Sequence, residues 1–196
     1  MTEFLFSAGP DWQNNACLNY GLDNWPVYAM GYREGGKALV DRLLDDRRHL
    51  DSLIYPVIFL YRQYLELTLK YLLREANQYL GEEAQIRPIH RVSLLWDELQ
   101  PKMTLVYQRA ELSPIDVREA AAIISEFARI DDSSMAFRYP DDRQGQNLLP
   151  DIMHINVRQF AEAMERLSTT LDDLVLVFDD LAHLREQEAL FLGDRI

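Results

Sequence analysis

The sequence has little of the residues that usually carry catalysis or crosslinks. It contains one cysteine, Cys17, so no disulfide can form within the chain, and its four histidines lie far apart. Eight glycines and eight prolines in 196 residues are too few for a loop-rich β protein. Neither a phosphate-binding glycine loop nor a metal-binding spacing of histidine and cysteine occurs. The sequence therefore predicts neither a bound metal nor a cofactor.

Long apolar runs and net positive charge are missing as well. The most apolar stretch, residues 53–61, contains Pro56 and is followed by Arg62, so it is far shorter than the roughly 20 residues of a membrane span. The N-terminal residues lack the basic start and apolar core of a secretory signal, and we expect a cytoplasmic protein with no membrane contact. With 20 basic and 32 acidic residues the formal charge is -12, which disfavours generic coating of DNA but permits a local basic site.

What the sequence does contain is apolar periodicity of the helical kind. Residues 1–26 show no sustained period and are predicted to form an irregular arm, whereas residues 27–196 are predicted to form one all-α domain, a bundle of about five helices. The predicted helices are, in order, 27–46, 51–79, a short one over 90–99 that Pro101 interrupts, 114–130 and a long one that begins after Asn156. Helix caps are predicted at Asp51 or Ser52, at Ser113 and at Asn156.

The long C-terminal helix carries two patterns. Its apolar residues alternate in steps of four and three, which makes a seam of three heptads over 160–181: Phe160, Met164, Leu167, Leu171, Leu174, Phe178 and Leu181. This seam is either core of the chain or part of a two-fold interface. The acidic residues of another face stay in water or meet a basic partner: Glu165, Asp172, Asp179 and Glu186.

Charged residues four apart mark one face of the second helix. Arg62, Glu66 and Lys70 form either a solvent-facing ladder of salt bridges or a polar cleft where Arg62 and Lys70 bind an anion. His90 either satisfies backbone groups at a helix start or belongs to a site that faces this stripe. These four residues are candidate binding residues.

The segment FRYPDD, residues 137–142, interrupts the helical pattern and supplies the other candidates. Arg138 either stacks on an aromatic ring and pairs with Asp141 or Asp142, or contacts a ligand together with Tyr139. The predicted binding residues are thus Arg62, Glu66, Lys70, His90, Arg138 and Tyr139, of which His90, Arg138 and Arg62 are the catalytic candidates.

The order of these segments resembles the HEPN superfamily (higher eukaryotes and prokaryotes nucleotide-binding). A central helix YRQYLELTLKYLL is followed by IHRVSLLWDEL, by a helical stretch that leads into FRYPDD, and by one long closing helix. The specific matches are the pattern of His90, Leu94 and Leu95 and the Arg-Tyr-Pro at 138–140, and the resemblance covers about residues 27–190. It implies a four- or five-helix bundle, often homodimeric, of the kind found in toxin–antitoxin, phage-defence and RNA-processing systems.

The ribonucleases of that superfamily carry an Arg and a His with four to six residues between them, near the start of a late helix. In this chain no Arg stands at that distance before His90, His154 or His183. Arg42 and His49 are one formal match, but they lie between the first two predicted helices. The resemblance therefore implies binding more readily than RNA cleavage.

Three functions follow as hypotheses. The first, which we prefer, is a non-catalytic homodimeric module that binds RNA, a nucleotide or a protein partner in a defence or toxin–antitoxin type system. The second is a metal-independent endoribonuclease in which His90 moves protons and Arg62 or Arg138 stabilises charge on the phosphate. The third is an acidic, antitoxin-like partner of a basic protein, with Asp172 and Asp179 among its contacts.

Overall fold

The computed structural model describes residues 5–19, 23–86 and 88–193, without the side chains of 188–193. Over these ranges the chain forms five α-helices: α1 (Trp25–Asp45), α2 (Leu50–Leu80), α3 (Val92–Arg109), α4 (Arg118–Asp131) and α5 (Val157–Gly193). The same ranges contain no strand, only an isolated antiparallel bridge between Asp141 and Asn147. The predicted all-α bundle with a long C-terminal helix is confirmed.

The predicted N-terminal arm is only partly described. Residues 5–19 and 23–24 hold one short 3-10 turn, Trp12–Asn14, and α1 begins at Trp25, two residues before its predicted start. Residues 1–4 and 20–22 of the predicted arm and residues 194–196 of the predicted domain lie outside the described ranges. No helix that the structure describes combines the length and the apolarity needed to cross a membrane.

The helix α2 lies at the centre of the bundle, as its nearly continuous apolar surface predicts. It contacts α1, α3 and α5, and Leu65, Leu69 and Leu72 on it are completely buried. It lies close to α1 at Gly36, where an added Cβ would lie 2.9 Å from Cε2 of Tyr61. That contact explains a glycine in mid-helix, where it costs about 1 kcal/mol relative to alanine.

The heptad seam of α5 belongs to the core of the same chain. Five of its seven residues are at most 1% exposed, and the other two are partly buried: Met164, Leu167, Leu171, Leu174 and Phe178, then Phe160 and Leu181. The predicted cap is confirmed, because Asn156 Oδ1 accepts a hydrogen bond from the backbone N–H of Gln159 at 3.1 Å.

The start of α2 differs from the prediction. The helix begins at Leu50, ahead of the predicted caps Asp51 and Ser52, because the 3-10 turn Arg47–His49 leads straight into it. Ser52 instead donates its hydroxyl hydrogen to the carbonyl of His49 at 3.2 Å. The predicted end is confirmed, since Gly81 adopts a left-handed conformation (φ 78°) directly after Leu80.

Two later boundaries are wrong as well. Pro101 does not interrupt α3, because the apolar face continues beyond it with Met103, Val106 and Tyr107 in the core. That packing outweighs the cost of about 3 kcal/mol for a proline inside a helix. The next helix, α4, begins at Arg118 rather than after the predicted Ser113 cap.

Part of the acidic face of α5 is used within the chain. Arg33 on α1 lies 2.6 Å from Asp172 Oδ2 and 3.8 Å from Glu165 Oε1, and the Tyr71 hydroxyl donates to Asp179. These contacts tie α5 to α1 and α2. The carboxylates are therefore less available to a basic partner than the sequence alone suggests.

Candidate functional site

The structure divides the six predicted binding residues between two neighbouring places. Four of them form one hydrogen-bonded network built on α2. The other two lie on the connection between α4 and α5, residues 132–156, which we call the α4–α5 loop. The first group is Arg62, Glu66, Lys70 and His90, and the second is Arg138 and Tyr139.

Arg62 is the centre of the network and is completely buried. Its Nε donates to the carbonyl of Asp131 at 3.1 Å, and its Nη2 donates to the carbonyl of Asp132 at 2.6 Å. A further bond joins Nη2 to the carbonyl of His90 at 2.5 Å, and Nη1 donates to Glu66 Oε2 at 3.2 Å. Four hydrogen bonds occupy the guanidinium, so no face of it is open to an anion.

Glu66 connects the remaining members of the network. Its Oε1 accepts from Lys70 Nζ at 2.7 Å and lies 2.9 Å from Nδ1 of His90. Glu66 and Lys70 are 4% and 7% exposed, so the stripe is neither the solvent-facing ladder nor the open cleft that its spacing allowed. The predicted salt bridges between residues four apart are present, but they are buried instead of solvent-facing. Arg62 is not open to an anion, because carbonyls from the end of α4 and the segment before α3 lie against it.

The charge state of Glu66 follows from these contacts. Burial is the largest single effect and would raise the pKa of the carboxyl, because it disfavours the charged form. Hydrogen bonds from Lys70 and His90 and the charges of Lys70 and Arg62 outweigh burial and lower the pKa below its usual 4.5. Glu66 is therefore a carboxylate between two cations.

A second carboxylate extends the network to α3. Asp132 accepts from the backbone N–H and the hydroxyl of Ser93 at 2.9 and 2.8 Å, which caps the start of α3, and from Arg91 Nε at 2.5 Å. The network thus joins α2, the start of α3 and the end of α4. Its role is to hold these three elements together.

The predicted catalytic group is not assembled in this arrangement. The His90 side chain is 67% exposed, but Arg62 beside it is closed to solvent. Arg138 faces a cavity that His90 does not line. As for the formal Arg-His match, Arg42 pairs with Asp46 at 3.9 Å and His49 lies in the turn before α2.

That cavity has a volume of about 1130 Å³ and lies between the end of α1, the start of α2, the α4–α5 loop and the start of α5. Three arginines line it: Arg47 from the turn before α2, Arg138 from the loop and Arg158 from the first turn of α5. None of them makes an ion pair with another residue of the described ranges. We call this space the arginine cavity.

Arg138 is held in place by aromatic rings. Its Cζ lies 5.7 Å from the ring centroid of Phe59 and 5.2 Å from that of Tyr139, and its Nη2 donates to the Tyr139 hydroxyl at 3.2 Å. The predicted stacking is confirmed, whereas the predicted pairing with Asp141 or Asp142 is wrong. Within the described ranges, the Tyr139 hydroxyl is the only hydrogen-bond acceptor of this guanidinium.

Other features of the arginine cavity also favour an anion. The first residues of α2 and α5 line it, so the positive ends of two helix dipoles lie at its wall. Tyr55 and Tyr139 also line it, and these residues are 48% and 46% exposed. Asp51 and Asp141 oppose this field, yet arginines still outnumber carboxylates by three to two.

Sequence reasoning missed Arg47, Arg158 and His154 as members of this cavity. His154 and Arg158 are only four residues apart, but Arg47 is more than 100 residues away from them, so no local spacing relates all three. One signal was present for Arg158, the second residue of α5. A cation in the first turn of a helix is disfavoured by the macrodipole, and its presence there points to another role.

Comparisons with protein-family models, with curated proteins and with solved structures gave no match to this chain. What supports a function is therefore the geometry of the arginine cavity itself.

Proposed function

We propose that this chain is a HEPN-like protein that binds the phosphate groups of RNA or of a nucleotide in the arginine cavity. The observation that carries the proposal is that three arginines, Arg47, Arg138 and Arg158, surround one cavity and form no ion pair with any residue the structure describes. The chain has 32 acidic residues, so carboxylate partners for arginine are plentiful. Guanidinium groups that line a cavity and have no carboxylate partner among the described residues suit the paired oxygens of a phosphate.

The aromatic rings fit the same class of ligand. Tyr55 and Tyr139 are half exposed at the cavity, and bases stack on such rings in proteins that bind single-stranded nucleic acid. A local cationic site in a chain of net charge -12 also favours a short ligand, because a long polyanion would meet the acidic remainder of the surface. A nucleotide or a few nucleotides of single-stranded RNA meet both conditions.

The test measures binding of a fluorescein-labelled RNA decamer by anisotropy and of adenosine triphosphate by calorimetry. We expect Arg158→Ala to weaken binding about tenfold, since a hydrogen bond to a charged group contributes about 1.5–3 kcal/mol. Arg143→Ala is the control, because Arg143 is an exposed arginine of the α4–α5 loop that does not line the cavity. The salt dependence of RNA binding should also fall in Arg158→Ala, by about one counterion.

Binding to the decamer alone would identify RNA as the ligand, and binding to the triphosphate alone would identify a free nucleotide. Failure of both to bind, or equal losses in Arg158→Ala and Arg143→Ala, would refute the proposal.

A second candidate function is the endoribonuclease. The observation that favours it is that His154, an exposed histidine, lines the arginine cavity together with Arg138 and Arg158. An imidazole can accept the proton of a ribose 2′-hydroxyl, and a nearby guanidinium can stabilise the charge that develops on the phosphate. Gel analysis of the incubated RNA, with His154→Ala beside His90→Ala, tests this: cleavage that only the former abolishes would make the protein an enzyme.

The homodimer stays a prediction. The seam of α5 is core of the chain, so a dimer would have to use another surface. Light scattering after size exclusion should give twice the mass of one chain, and the mass of a single chain would contradict the prediction. The antitoxin-like alternative has less support, because Asp172 and Asp179 already have partners on α1 and α2.

A further inference from the structure

A second cavity adjoins the arginine cavity. It has a volume of about 420 Å³ and lies between α4, α5 and the α4–α5 loop. Five residues line both cavities: Phe137, Ile152, His154, Ile155 and Asn156. The two spaces are therefore neighbours, with one short segment of the loop between them.

The wall of the second cavity is mostly apolar. Side chains from α2, α4 and α5 form it: Ile58, Ile123, Phe127, Ile130, Phe160, Ala163 and Met164. The rings of Phe127 and Phe160 meet edge to face, with centroids 6.0 Å apart. We call this space the apolar cavity, and its volume lies within the range of about 300–1,000 Å³ that small-molecule sites occupy.

Three polar side chains at the apolar cavity have no partner among the described residues. Glu126 and Arg129 on α4 and Gln159 on α5 are exposed, and no hydrogen bond or ion pair holds their side chains. The backbone of Gln159 is bonded to Asn156, but its amide group is unused. Together they offer a carboxylate acceptor, a guanidinium donor and an amide that can do both.

This combination suits a particular part of a ligand. A flat ring with an apolar face and a polar edge uses both the wall and the three free side chains. An alkyl chain would leave the polar groups unused, and a phosphate would gain nothing from the apolar wall. A nucleobase has the required face and edge.

We infer that the apolar cavity is the base subsite for a nucleotide whose phosphates lie in the arginine cavity. This inference rests on the proposed function and narrows its ligand to a nucleotide with an unpaired base, either free or at the end of an RNA strand. Specificity then arises in the apolar cavity, because the arginines contact phosphates that all nucleotides share.

The experiment separates the two subsites with two kinds of probe. Calorimetry measures the affinity of inorganic tripolyphosphate, which has only phosphates, and of the four ribonucleoside triphosphates, which also have a base. We expect at least one triphosphate to bind about tenfold more tightly than tripolyphosphate, a difference of about 1.4 kcal/mol.

Substitutions in the apolar cavity should remove that difference. Ala163→Phe fills the cavity and should lower nucleotide affinity about tenfold while leaving the affinity for tripolyphosphate unchanged. Ala182→Phe is the matched control on the same helix, since Ala182 lines neither cavity. Gln159→Ala, at an exposed side chain without partners, should lower nucleotide affinity several-fold with no risk to folding.

Each outcome bears on the inference. Equal binding of nucleotides and tripolyphosphate, or unchanged nucleotide affinity in Ala163→Phe, overturns the base subsite and leaves the proposed function standing. Binding of neither probe overturns the base subsite, and failure of the RNA decamer to bind as well overturns the proposed function.

Discussion

The Arg62 network and the arginine cavity use the same side chain in opposite surroundings. Arg62 is completely buried and donates four hydrogen bonds, three of them to backbone carbonyls. Arg47, Arg138 and Arg158 line an open space and have no carboxylate partner in the described part of the chain. We therefore assign a structural role to Arg62 and propose a binding role for the three cavity arginines, because a guanidinium can serve a ligand only through donors that the protein leaves unused.

The two regions are nevertheless connected through one face of α2. Arg62 holds the carbonyls of Asp131 and Asp132, where the α4–α5 loop begins, and Gln63 Nε2 donates to the hydroxyl of Ser134 at 2.7 Å. A few residues later Arg138 stacks on Phe59 of the same helix. The network therefore fixes the loop that carries part of the arginine cavity.

Arg62→Met should show the largest effect on stability. Removal of one partner from a buried charged network costs about 3–5 kcal/mol, and here three carbonyls also lose their donor. Urea unfolding followed by circular dichroism measures the loss. Arg158→Met is the control and should change the free energy of unfolding by less than about 0.5 kcal/mol. Similar losses in both variants would erase the distinction between the two regions.

Glu66→Gln should have the next largest effect and should change the dependence of stability on pH. It removes the carboxylate between Arg62 and Lys70, at a cost of about 2 kcal/mol near neutral pH. The folded-state pKa of Glu66 is lowered, so its contribution is present above its usual 4.5 and is lost as the pH falls through the lowered value. As the pH is lowered below 4.5, the urea midpoint of the variant should therefore fall less steeply than that of the native chain. Parallel curves of urea midpoint against pH for the two proteins would show that Glu66 is not held as a carboxylate.

Arg138→Ala sharpens the comparison, since Arg138 belongs to the cavity but also stacks on Phe59. We expect a loss of about 0.5–1 kcal/mol in stability, the usual contribution of an exposed cation–π contact. The affinity of Arg138→Ala for RNA should fall about tenfold, as expected for Arg158→Ala. Thermal melts and anisotropy on the same samples measure both quantities, and a loss of stability as large as that of Arg62→Met would place Arg138 in the structural group instead.

Asp141→Asn should give the smallest effect and in the opposite direction. Asp141 lines the arginine cavity and opposes its field, so its neutralisation should tighten RNA binding about two- to threefold, or about 0.5 kcal/mol. Asp151→Asn is the control, because Asp151 is an exposed carboxylate of the same loop outside the cavity lining. Equal gains in the two variants would reflect net charge rather than the cavity.

Much of the fold was predictable because the strongest periodic signals come from residues close in sequence. The apolar surface of α2 and the seam of α5 fixed both helices and their place in the core. Boundaries were less predictable where several polar residues compete for a helix start. Ser113 precedes a proline, as helix caps often do, but Asp116 accepts the backbone N–H of Arg118 at 3.1 Å and the helix begins there.

For the candidate site, the sequence predicted which charged residues contact each other, but not that they are buried. The spacing of Arg62 and Glu66 predicts their contact, because residues four apart share a helix face. It cannot predict burial, since the carbonyls that cover Arg62 belong to residues 69 and 70 positions away. The arginine cavity needs three segments to meet, and its local signals in the sequence were the stacking of Arg138 and the position of Arg158 in the first turn of a helix.

Arg62 forms hydrogen bonds to residues that are distant in sequence, and this affects how fast the folded molecule unfolds. Its backbone bonds span 28, 69 and 70 residues, so they require the segment before α3 and the end of α4 to be brought to α2. Interactions that are absent from the folding transition state slow unfolding without speeding folding. We therefore expect stopped-flow traces of Arg62→Met to show faster unfolding at a nearly unchanged folding rate. The buried arginine would thus lengthen the lifetime of the folded chain by slowing its unfolding.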